Sequence, residues 1–317
     1  MRATFDCAGI TDVGRVRTSN QDQFLIADLK KSMHVAATSL PLSRQPRLYG
    51  GTMGRLMMVA DGMGGHAAGE RASTLAIDYL IDRLLNSMHW FFNLDQDPED
   101  AFLNDLKELL RAAHKRIVDE GLSHDDQRGM GTTLTVAYVI WPRLYVVHAG
   151  DTRCYLFRRG AAERLTVDHT LARQLVEAGG ISAEDERTSR WSNVLWNVLG
   201  GGNGDLTAEV RRVDLVPGDS ILLCSDGLHR YFSDEELTEA MSRPAEASEI
   251  CRDLVKEANE RGGSDNITAL VGLFGVDNGN SERTMVETEL PMRAFLEHCA
   301  PKMKAADEPE SEDTLPD

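Results

Sequence analysis

The sequence contains few of the features that mark a secreted, membrane-bound or zinc-binding protein. Its five cysteines are odd in number and form no Cys-x-x-Cys pair, which argues against structural zinc and favours a reducing compartment. The N-terminus has no apolar signal core, and no run reaches the roughly 18 apolar residues that a membrane-spanning helix needs. We therefore expect a soluble cytoplasmic protein without a membrane partner.

Positive charge is also scarce. The 34 Lys and Arg residues face 51 Asp and Glu residues, and the net charge of -17 argues against nucleic acid or an anionic membrane as a partner. The 42% hydrophobic and 27% charged content is typical of a globular protein. A chain of 317 residues can bury a large core, as one domain of roughly 250 residues with extensions or as two domains.

One stretch combines an apolar strand, a carboxylate and several glycines. Residues 56–59 run apolar into Asp61, and a helix is predicted to begin near Ala67. A carboxylate at a strand end, beside glycines that let the backbone approach a ligand, suits a metal ion. Asp61 can bridge two cations, and the Gly62 carbonyl can supply another oxygen. The alternative is a simple strand-to-helix turn whose Asp caps the helix.

The same pattern recurs later in the chain, and this repetition favours the metal interpretation. Asp151 follows the predicted strand 144–149, Asp226 follows the apolar run 220–225, and Asp265 precedes the last predicted strand. Carboxylates gathered by the fold without basic partners would repel one another unless cations bind. Ligands that are all oxygen favour magnesium or manganese over zinc.

The rest of the chain predicts strands, helix pairs and two irregular regions. Asp97 and Pro98 mark the start of a helix with a regular apolar face, and further helices are expected at 234–241 and 247–258. Residues 29–54 are predicted to be a long loop, and residues 132–164 to form an antiparallel meander.

Residues 165–205 are predicted to be an insertion that lies over the sheet. Asp168 and His169 open a short helix in it, and we interpret them as an N-cap and its neighbour rather than a catalytic pair. Residues 276–317 differ in composition, and their acidic end is predicted to be disordered.

Six motifs occur in an order that resembles the metal-dependent Ser/Thr protein phosphatases of type 2C, the PPM family, in its bacterial form. The resemblance covers about residues 6–274, and each motif alone would be weak. The motifs are Arg17 with Asn20-Gln21-Asp22, Asp61-Gly62-Met63-Gly64-Gly65-His66, Gly129-Met130-Gly131-Thr132-Thr133, Gly150-Asp151-Thr152-Arg153, Ser225-Asp226-Gly227 and Asp265-Asn266-Ile267-Thr268.

The resemblance implies an α+β fold of four layers, α/β/β/α, in which two packed antiparallel sheets carry a helix pair on each outer face. It implies a catalytic domain over residues 1–275 with a flap at about 165–205, and a C-terminal extension over 276–317. The implied reaction is hydrolysis of phosphoserine and phosphothreonine in proteins by a metal-activated water at a binuclear Mn²⁺ or Mg²⁺ centre. Partners would be phosphoproteins, including a Ser/Thr protein kinase, and we expect a monomer.

The resemblance also implies a ligand set. Asp61 would bridge two ions, Gly62 would give its carbonyl, and Asp226 with Asp265 would complete one of the ions. Asp151, together with Asp226, would hold a third ion of the kind found in bacterial members.

Three further residues receive implied catalytic roles. Arg17 would grip the phosphate, Asp22 would orient metal-bound water, and His66 is the candidate general acid. Eukaryotic members have His at the position of Met63, so a water or a structural His66 remains an alternative. Gln21 stands where that pattern has Glu, so the second metal is expected to rely more on water.

Two other functions are compatible with parts of the sequence. Cys224 and Arg230 match the Cys-x5-Arg loop of cysteine phosphatases, but Asp226 would repel phosphate there, and Leu223 replaces the usual His. A core cysteine is therefore the preferred interpretation of Cys224. The second alternative is a catalytically inactive phosphatase-fold binding module that has lost its metals, which the complete carboxylate set argues against.

Overall fold

Apolar strands build most of the molecule. The computed structural model describes residues 2–34, 47–86, 99–202 and 204–277. The strands of this described part are β1 (Arg2–Asp12), β2 (Asp22–His34), β3 (Arg47–Met63), β4 (Gly131–Thr132), β5 (Leu134–Ile140), β6 (Arg143–Ala149), β7 (Arg153–Arg158), β8 (Ala161–Arg164), β9 (Leu199–Gly200), β10 (Glu209–Asp214), β11 (Ser220–Cys224) and β12 (Ile267–Asp277).

Helices follow the strands in the chain. They are α1 (His66–Asn86), α2 (Glu99–Ser123), α3 (Leu171–Glu177), α4 (Asp226–His229), α5 (Asp234–Ser242) and α6 (Ala247–Glu260), with a short 3₁₀ helix at Asp125–Gln127. The predicted apolar face of α2 is buried, from Phe102 to Ile117. The proposed cap at Asp97 and Pro98 lies outside the described residues.

The strands form two antiparallel sheets. One sheet has the order β1-β12-β11-β7-β8, and the other has the order β10-β6-β5-β3-β4-β9, with β2 paired to β3. β11 is fully buried between two neighbours, as its continuous apolar run predicts.

Side chains alternate along each strand and divide the core into three apolar layers. On β3, Met58 packs with the helices α1 and α2, whereas Met57 and Val59 pack against residues of the other sheet. On β11, Leu223 joins this central layer, and Leu222 packs with α5 and α6. Successive side chains of a strand point to opposite faces, so each sheet packs against helices on one face and against the other sheet on its second face. This arrangement confirms the predicted four-layer α/β/β/α fold.

The prediction of a long loop over residues 29–54 is wrong where the structure describes it. β2 continues to His34 and β3 begins at Arg47, with a register irregularity between Lys30 and Ser32. The scattered glycines suggested a loop, but cross-strand pairing with a neighbour overrides this local tendency. Residues 35–46 lie outside the described part.

The meander predicted for residues 132–164 is also wrong, because the chain changes sheets after β6. β5 and β6 pair in one sheet, while β7 and β8 pair in the other. Gly150 makes this crossing with φ +116, and a Cβ at this position would lie 2.4 Å from Cβ of Thr133. The crossing leaves Asp151 at the shared edge of the two sheets.

The short helix in the insertion is capped by a different residue from the one predicted. Thr170, not Asp168, is the N-cap of α3, and its hydroxyl accepts the Arg173 N–H at 3.1 Å. Asp168 instead accepts three hydrogen bonds from the Arg153 guanidinium, at 3.0, 3.1 and 2.6 Å. A buried carboxylate beside an arginine is better compensated there than at a helix end.

No helix among the described residues is long and apolar enough to cross a membrane. Residues 278–317 lie outside the described part. The C-terminal extension and its disorder therefore stay predictions.

Candidate active site

The register of β2 and β3 places two predicted site carboxylates side by side, because Asp22 pairs with Asp61. The main chain of Asp61 is fixed by the Gly-Met-Gly-Thr-Thr motif. The Thr132 hydroxyl and the Thr133 N–H both donate to the Asp61 carbonyl at 2.9 Å, and the Asp61 N–H donates to the Thr133 hydroxyl at 3.1 Å. The next residue, Gly62, donates its N–H to the Gln21 carbonyl at 3.1 Å.

The register of β7 and β11 brings Asp151 to Asp226. Arg153 pairs with Cys224, so Asp151 precedes this pair by two residues and Asp226 follows it by two. Both carboxylates therefore leave the sheet at the same end. His229, on the helix that begins at Asp226, donates its Nε2–H to the Asp151 carbonyl at 3.0 Å and fixes the two segments together.

Asn266 positions the loop that carries Arg17. Its amide donates to the carbonyls of Val13 and Ser19 at 3.0 and 2.9 Å, and it accepts the Gln21 N–H at 2.8 Å. Sequence reasoning included Asn266 in a motif but gave it no function. A polar side chain directly before a buried strand was the available signal.

Gly227 allows this close assembly. A Cβ at Gly227 would lie 1.9 Å from the carbonyl oxygen of Asn266. Any side chain would therefore force the start of α4 away from the Asp265–Asn266 segment, which explains the glycine that follows Asp226.

Arg17 presents a fixed cation at the rim of the carboxylate cluster. Its NH2 group lies 2.8 Å from Asp265 Oδ2, and its side chain remains 52% exposed. The hydrogen bond to Asp265 raises the pKa of Arg17, so the guanidinium stays charged. An exposed guanidinium oriented by a carboxylate can accept an incoming phosphate in a fork of two hydrogen bonds.

Asp22 is only 1% exposed and connects the two sheets. Its Oδ2 accepts hydrogen bonds from the hydroxyls of Ser225 and Thr268, both at 2.7 Å. Burial raises the pKa of Asp22 to about 7, and these two hydrogen bonds oppose the rise. Sequence reasoning missed both hydroxyls as partners of Asp22, because they belong to strands far away in the chain.

The cluster carries more negative charge than its arginines offset. Burial raises the pKa of Asp61 well above its usual value, and the neighbouring carboxylates of Asp22, Asp226, Asp151 and Asp265 raise it further. Burial also raises the pKa of Asp151, and Asp226 adds to that rise. The arrangement therefore favours either protons or added cations.

The predicted metal ligands lie near one another, and two of them also pair with arginines. Within the described ranges, no group of three or more His, Cys, Asp or Glu side chains forms a ready ligand set. Two of the carboxylates are turned to arginines, since Asp226 Oδ2 binds Arg230 and Asp265 Oδ2 binds Arg17.

The donor chemistry nevertheless fits a hard divalent cation. Asp22 Oδ1 and Asp226 Oδ1 are buried oxygens with no hydrogen-bond donor among the described residues. All the carboxylates supply oxygen ligands, which Mg²⁺ and Mn²⁺ prefer. The assignment of each ligand stays a prediction.

His66 begins α1, but its side chain lies outside what the structure describes. The general-acid assignment therefore stays a prediction. Met63, which stands at the position where eukaryotic members have His, is 36% exposed.

A cleft of about 430 Å³ adjoins the carboxylates. Asp151, Asp226 and Arg230 line it. Other lining residues come from the 165–205 insertion, among them Ala183 and Asn193, and from the start of α5, among them Ser233 and Asp234. Residues of the insertion thus line a cleft beside the candidate site, and its role as a flap stays a prediction.

The structure rules out Cys224 as a nucleophile, so the cysteine-phosphatase alternative is wrong. Cys224 is 0% exposed within β11, and burial raises the pKa of its thiol to about 12. Asp226 lies two residues after Cys224, at the start of α4, and it already binds the arginine of the motif. A buried thiol cannot form the thiolate that this chemistry needs.

Comparison with known proteins agrees with this geometry. The Protein phosphatase 2C family model matches residues 49–270. The Ser/Thr phosphatase Stp of Listeria innocua is 31% identical over 261 residues, which cover 82% of this chain and 92% of that protein. PstP of Mycobacterium tuberculosis is 37% identical over 230 residues, 72% of this chain, and the match spans only 42% of that protein's length.

Solved structures show the same fold. The crystal structure of M. tuberculosis PstP has a TM-score of 0.68 and 32% identity, and the alignment covers 86% of this chain and 99% of that one. The PstP catalytic domain in complex with two manganese ions has a TM-score of 0.66 and 32% identity, and the alignment covers 86% of this chain and all of that one. With the family model matching most of the chain and the motif carboxylates meeting at one edge of the sandwich, the chain belongs to the protein phosphatase 2C family.

Proposed function

We propose that this protein hydrolyses phosphoserine and phosphothreonine in proteins at a binuclear Mn²⁺ or Mg²⁺ centre. The observation that carries the proposal is the meeting of Asp22, Asp61, Asp151, Asp226 and Asp265 at one edge, with Arg17 exposed on the rim. Relatives named as Ser/Thr phosphatases, and a relative that holds two manganese ions, support it.

In this proposal the carboxylates hold the cations. Asp61, the Gly62 carbonyl, Asp226 and Asp265 would hold two ions, and Asp151 with Asp226 would hold a third. When bound, the ions supply a nucleophilic water at neutral pH and neutralise charge on the phosphoryl group.

The other residues act on the substrate and on protons. Arg17 binds the phosphate and orients it, using the charge that its contact with Asp265 maintains. Asp22 is held rigidly by Ser225 and Thr268, and its second oxygen is free of hydrogen-bond donors among the described residues, so that oxygen can orient the attacking water. His66 donates a proton to the leaving Ser or Thr oxygen.

The cleft beside the insertion would receive the peptide that carries the phosphate. It is lined by the site residues Asp151 and Asp226 and by other charged and apolar side chains. We propose phosphoproteins, including a Ser/Thr protein kinase, as substrates, acted on by a monomer in the cytoplasm. We propose the boundaries 1–275 for the catalytic domain and 276–317 for the extension.

Three treatments of one enzyme sample distinguish this function from the alternatives. Release of phosphate from a phosphothreonine peptide should require Mn²⁺ or Mg²⁺, stop with excess EDTA, and survive iodoacetamide because the Cys224 thiol is buried. No release under any metal condition, with Mn²⁺ binding also absent, would instead support an inactive binding module. Full activity in EDTA would contradict the proposal.

Two substrates test the assignment of His66. p-Nitrophenyl phosphate has a leaving group that hardly needs a proton, whereas a phosphoserine peptide has a poor one. If His66 is the acid, His66→Gln should lower kcat for the peptide far more than for p-nitrophenyl phosphate, with little change in KM. Equal losses on both substrates would show that His66 is structural.

A further inference from the structure

Arg230 is bound to the carboxylates that the proposed function assigns to metal. Its NH2 group pairs with Asp226 Oδ2, and the same group lies 3.9 Å from Asp265 Oδ2. Its Nε also donates to the Asp226 carbonyl at 3.2 Å. One guanidinium therefore contacts two predicted metal ligands at once.

The position of Arg230 is fixed by its surroundings. Arg230 follows Asp226 by four residues, directly after α4, so helical geometry brings the two side chains together. Its NH1 group donates to the Ser264 hydroxyl at 3.4 Å, and its carbonyl accepts a hydrogen bond from Arg187 at 2.6 Å. The side chain is 29% exposed, so solvent does not fully screen its charge.

The electrostatics show what this guanidinium does. Asp226 Oδ1 is buried without a hydrogen-bond donor among the described residues, and Asp226 Oδ2 pairs with the Arg230 guanidinium. Arg230 thus compensates part of the charge that the cluster would otherwise carry alone. A divalent cation that binds Asp226 and Asp265 would meet this positive charge and would have to displace it.

We infer that Arg230 is a tethered counter-ion that competes with divalent metal for Asp226 and Asp265. It stabilises the metal-free fold and raises the metal concentration at which the site fills. The inference rests on the proposed function, because it takes these two carboxylates to be metal ligands. It adds a regulatory property, a metal threshold to which the Arg230 side chain contributes.

Mn²⁺ binding tests this without measuring catalysis. Metal-stripped wild type, Arg230→Gln and Arg230→Lys would be titrated with Mn²⁺, and free Mn²⁺ would be followed by electron paramagnetic resonance. Loss of one nearby positive charge should tighten the weakest Mn²⁺ site of Arg230→Gln by about tenfold. Arg230→Lys keeps the charge but not the guanidinium fork, so its affinity should lie between the two.

Arg116→Gln is the matched control, because Arg116 forms an ion pair with Glu120 at the same spacing on the surface of α2. Its Mn²⁺ affinity should equal that of wild type. Thermal unfolding gives a second readout. In EDTA, Arg230→Gln should melt below wild type, and the difference should disappear with saturating Mn²⁺.

The possible outcomes separate the inference from the function it rests on. Equal or weaker Mn²⁺ binding by Arg230→Gln would overturn the counter-ion inference and leave the phosphatase proposal intact. A wild type that binds no Mn²⁺ would overturn both. If Arg230→Gln does not fold without metal, the Mn²⁺ affinity of Arg230→Lys becomes the test. An affinity of Arg230→Lys equal to that of wild type would contradict the inference.

Discussion

The carboxylate of Asp22 accepts a 2.7 Å hydrogen bond from the hydroxyl of Thr268. The two residues belong to different sheets, since Asp22 begins β2 and Thr268 lies near the start of β12. Ser225 donates to the same oxygen from the end of β11. This contact holds the two sheets at the edge where the candidate ligands meet, so the site and the packing of the sandwich depend on the same side chains.

Replacing Thr268 by valine should weaken that edge. Thr268→Val keeps the shape of the side chain but removes one of two donors to a buried carboxylate, which typically costs about 1–3 kcal/mol in the free energy of unfolding. Chemical denaturation of the metal-free protein measures it. Thr238→Val, which removes a local hydroxyl bond to the Asp234 carbonyl on α5, should change stability far less. An equal decrease in the free energy of unfolding of both variants would contradict the claim that the contact between the sheets stabilises this edge.

Arg17 should control substrate binding once the metal sites are filled. Arg17→Ala should raise KM for a phosphopeptide by about tenfold, because a charge-assisted fork to phosphate is lost, and Arg17→Lys should restore only part of it. Steady-state kinetics at saturating Mn²⁺ measure this, with Mn²⁺ affinity recorded in parallel.

Arg15→Lys is the control for the same loop, because the Arg15 guanidinium donates to the Asn259 carbonyl instead. Its KM should match that of wild type. An unchanged KM for Arg17→Ala would contradict the assigned contact with phosphate.

His148 should make the protein sensitive to acid. The ring of His148 is 1% exposed and lies 4.9 Å from the ring of His169. Burial lowers the pKa of His148 to about 4, and His169 contributes to this fall, whereas Asp168 and Glu209 oppose it. Below pH 6.5 His148 is protonated in the unfolded chain but stays neutral in the native state. The free energy of unfolding therefore falls as pH falls toward 4. The loss should approach about 3 kcal/mol, since a tenfold change in proton affinity corresponds to about 1.4 kcal/mol.

Denaturation midpoints between pH 7 and pH 4 test this. His148→Gln should show a flatter decline in stability than wild type, whereas His124→Gln should not, because His124 is exposed. Parallel declines for His148→Gln and wild type would mean that His148 is not held neutral by the fold.

The elements that the sequence predicted correctly are those set by local patterns. An apolar run that leads to Asp61 or Asp226 is a strand whatever the partner strand is, although β3 continues beyond Asp61 to Met63. The regular apolar face of α2 needs only its own spacing. The resemblance to a known family then implied that these strand ends meet.

The features that were missed depend on contacts between distant residues. Asp22 and Thr268 are 246 residues apart, so no local pattern could pair them. The crossing at Gly150 depends on the close packing of Thr133, and the extended hairpin of β2 and β3 depends on pairing that overrides scattered glycines. Arg230 looked like part of a cysteine motif until the fold placed it on Asp226.

The most direct test of the central claim is the rate of phosphate release from a phosphothreonine peptide as Mn²⁺ is added to metal-stripped protein. Wild type should be inactive without metal and should gain activity with added Mn²⁺. Asp61→Asn should stay near background at every Mn²⁺ concentration, yet unfold in EDTA at or above the temperature of wild type, because one of the mutually repelling carboxylates is neutralised. Near wild-type rates for Asp61→Asn, or full wild-type activity in EDTA, would contradict a metal-dependent phosphatase centred on Asp61.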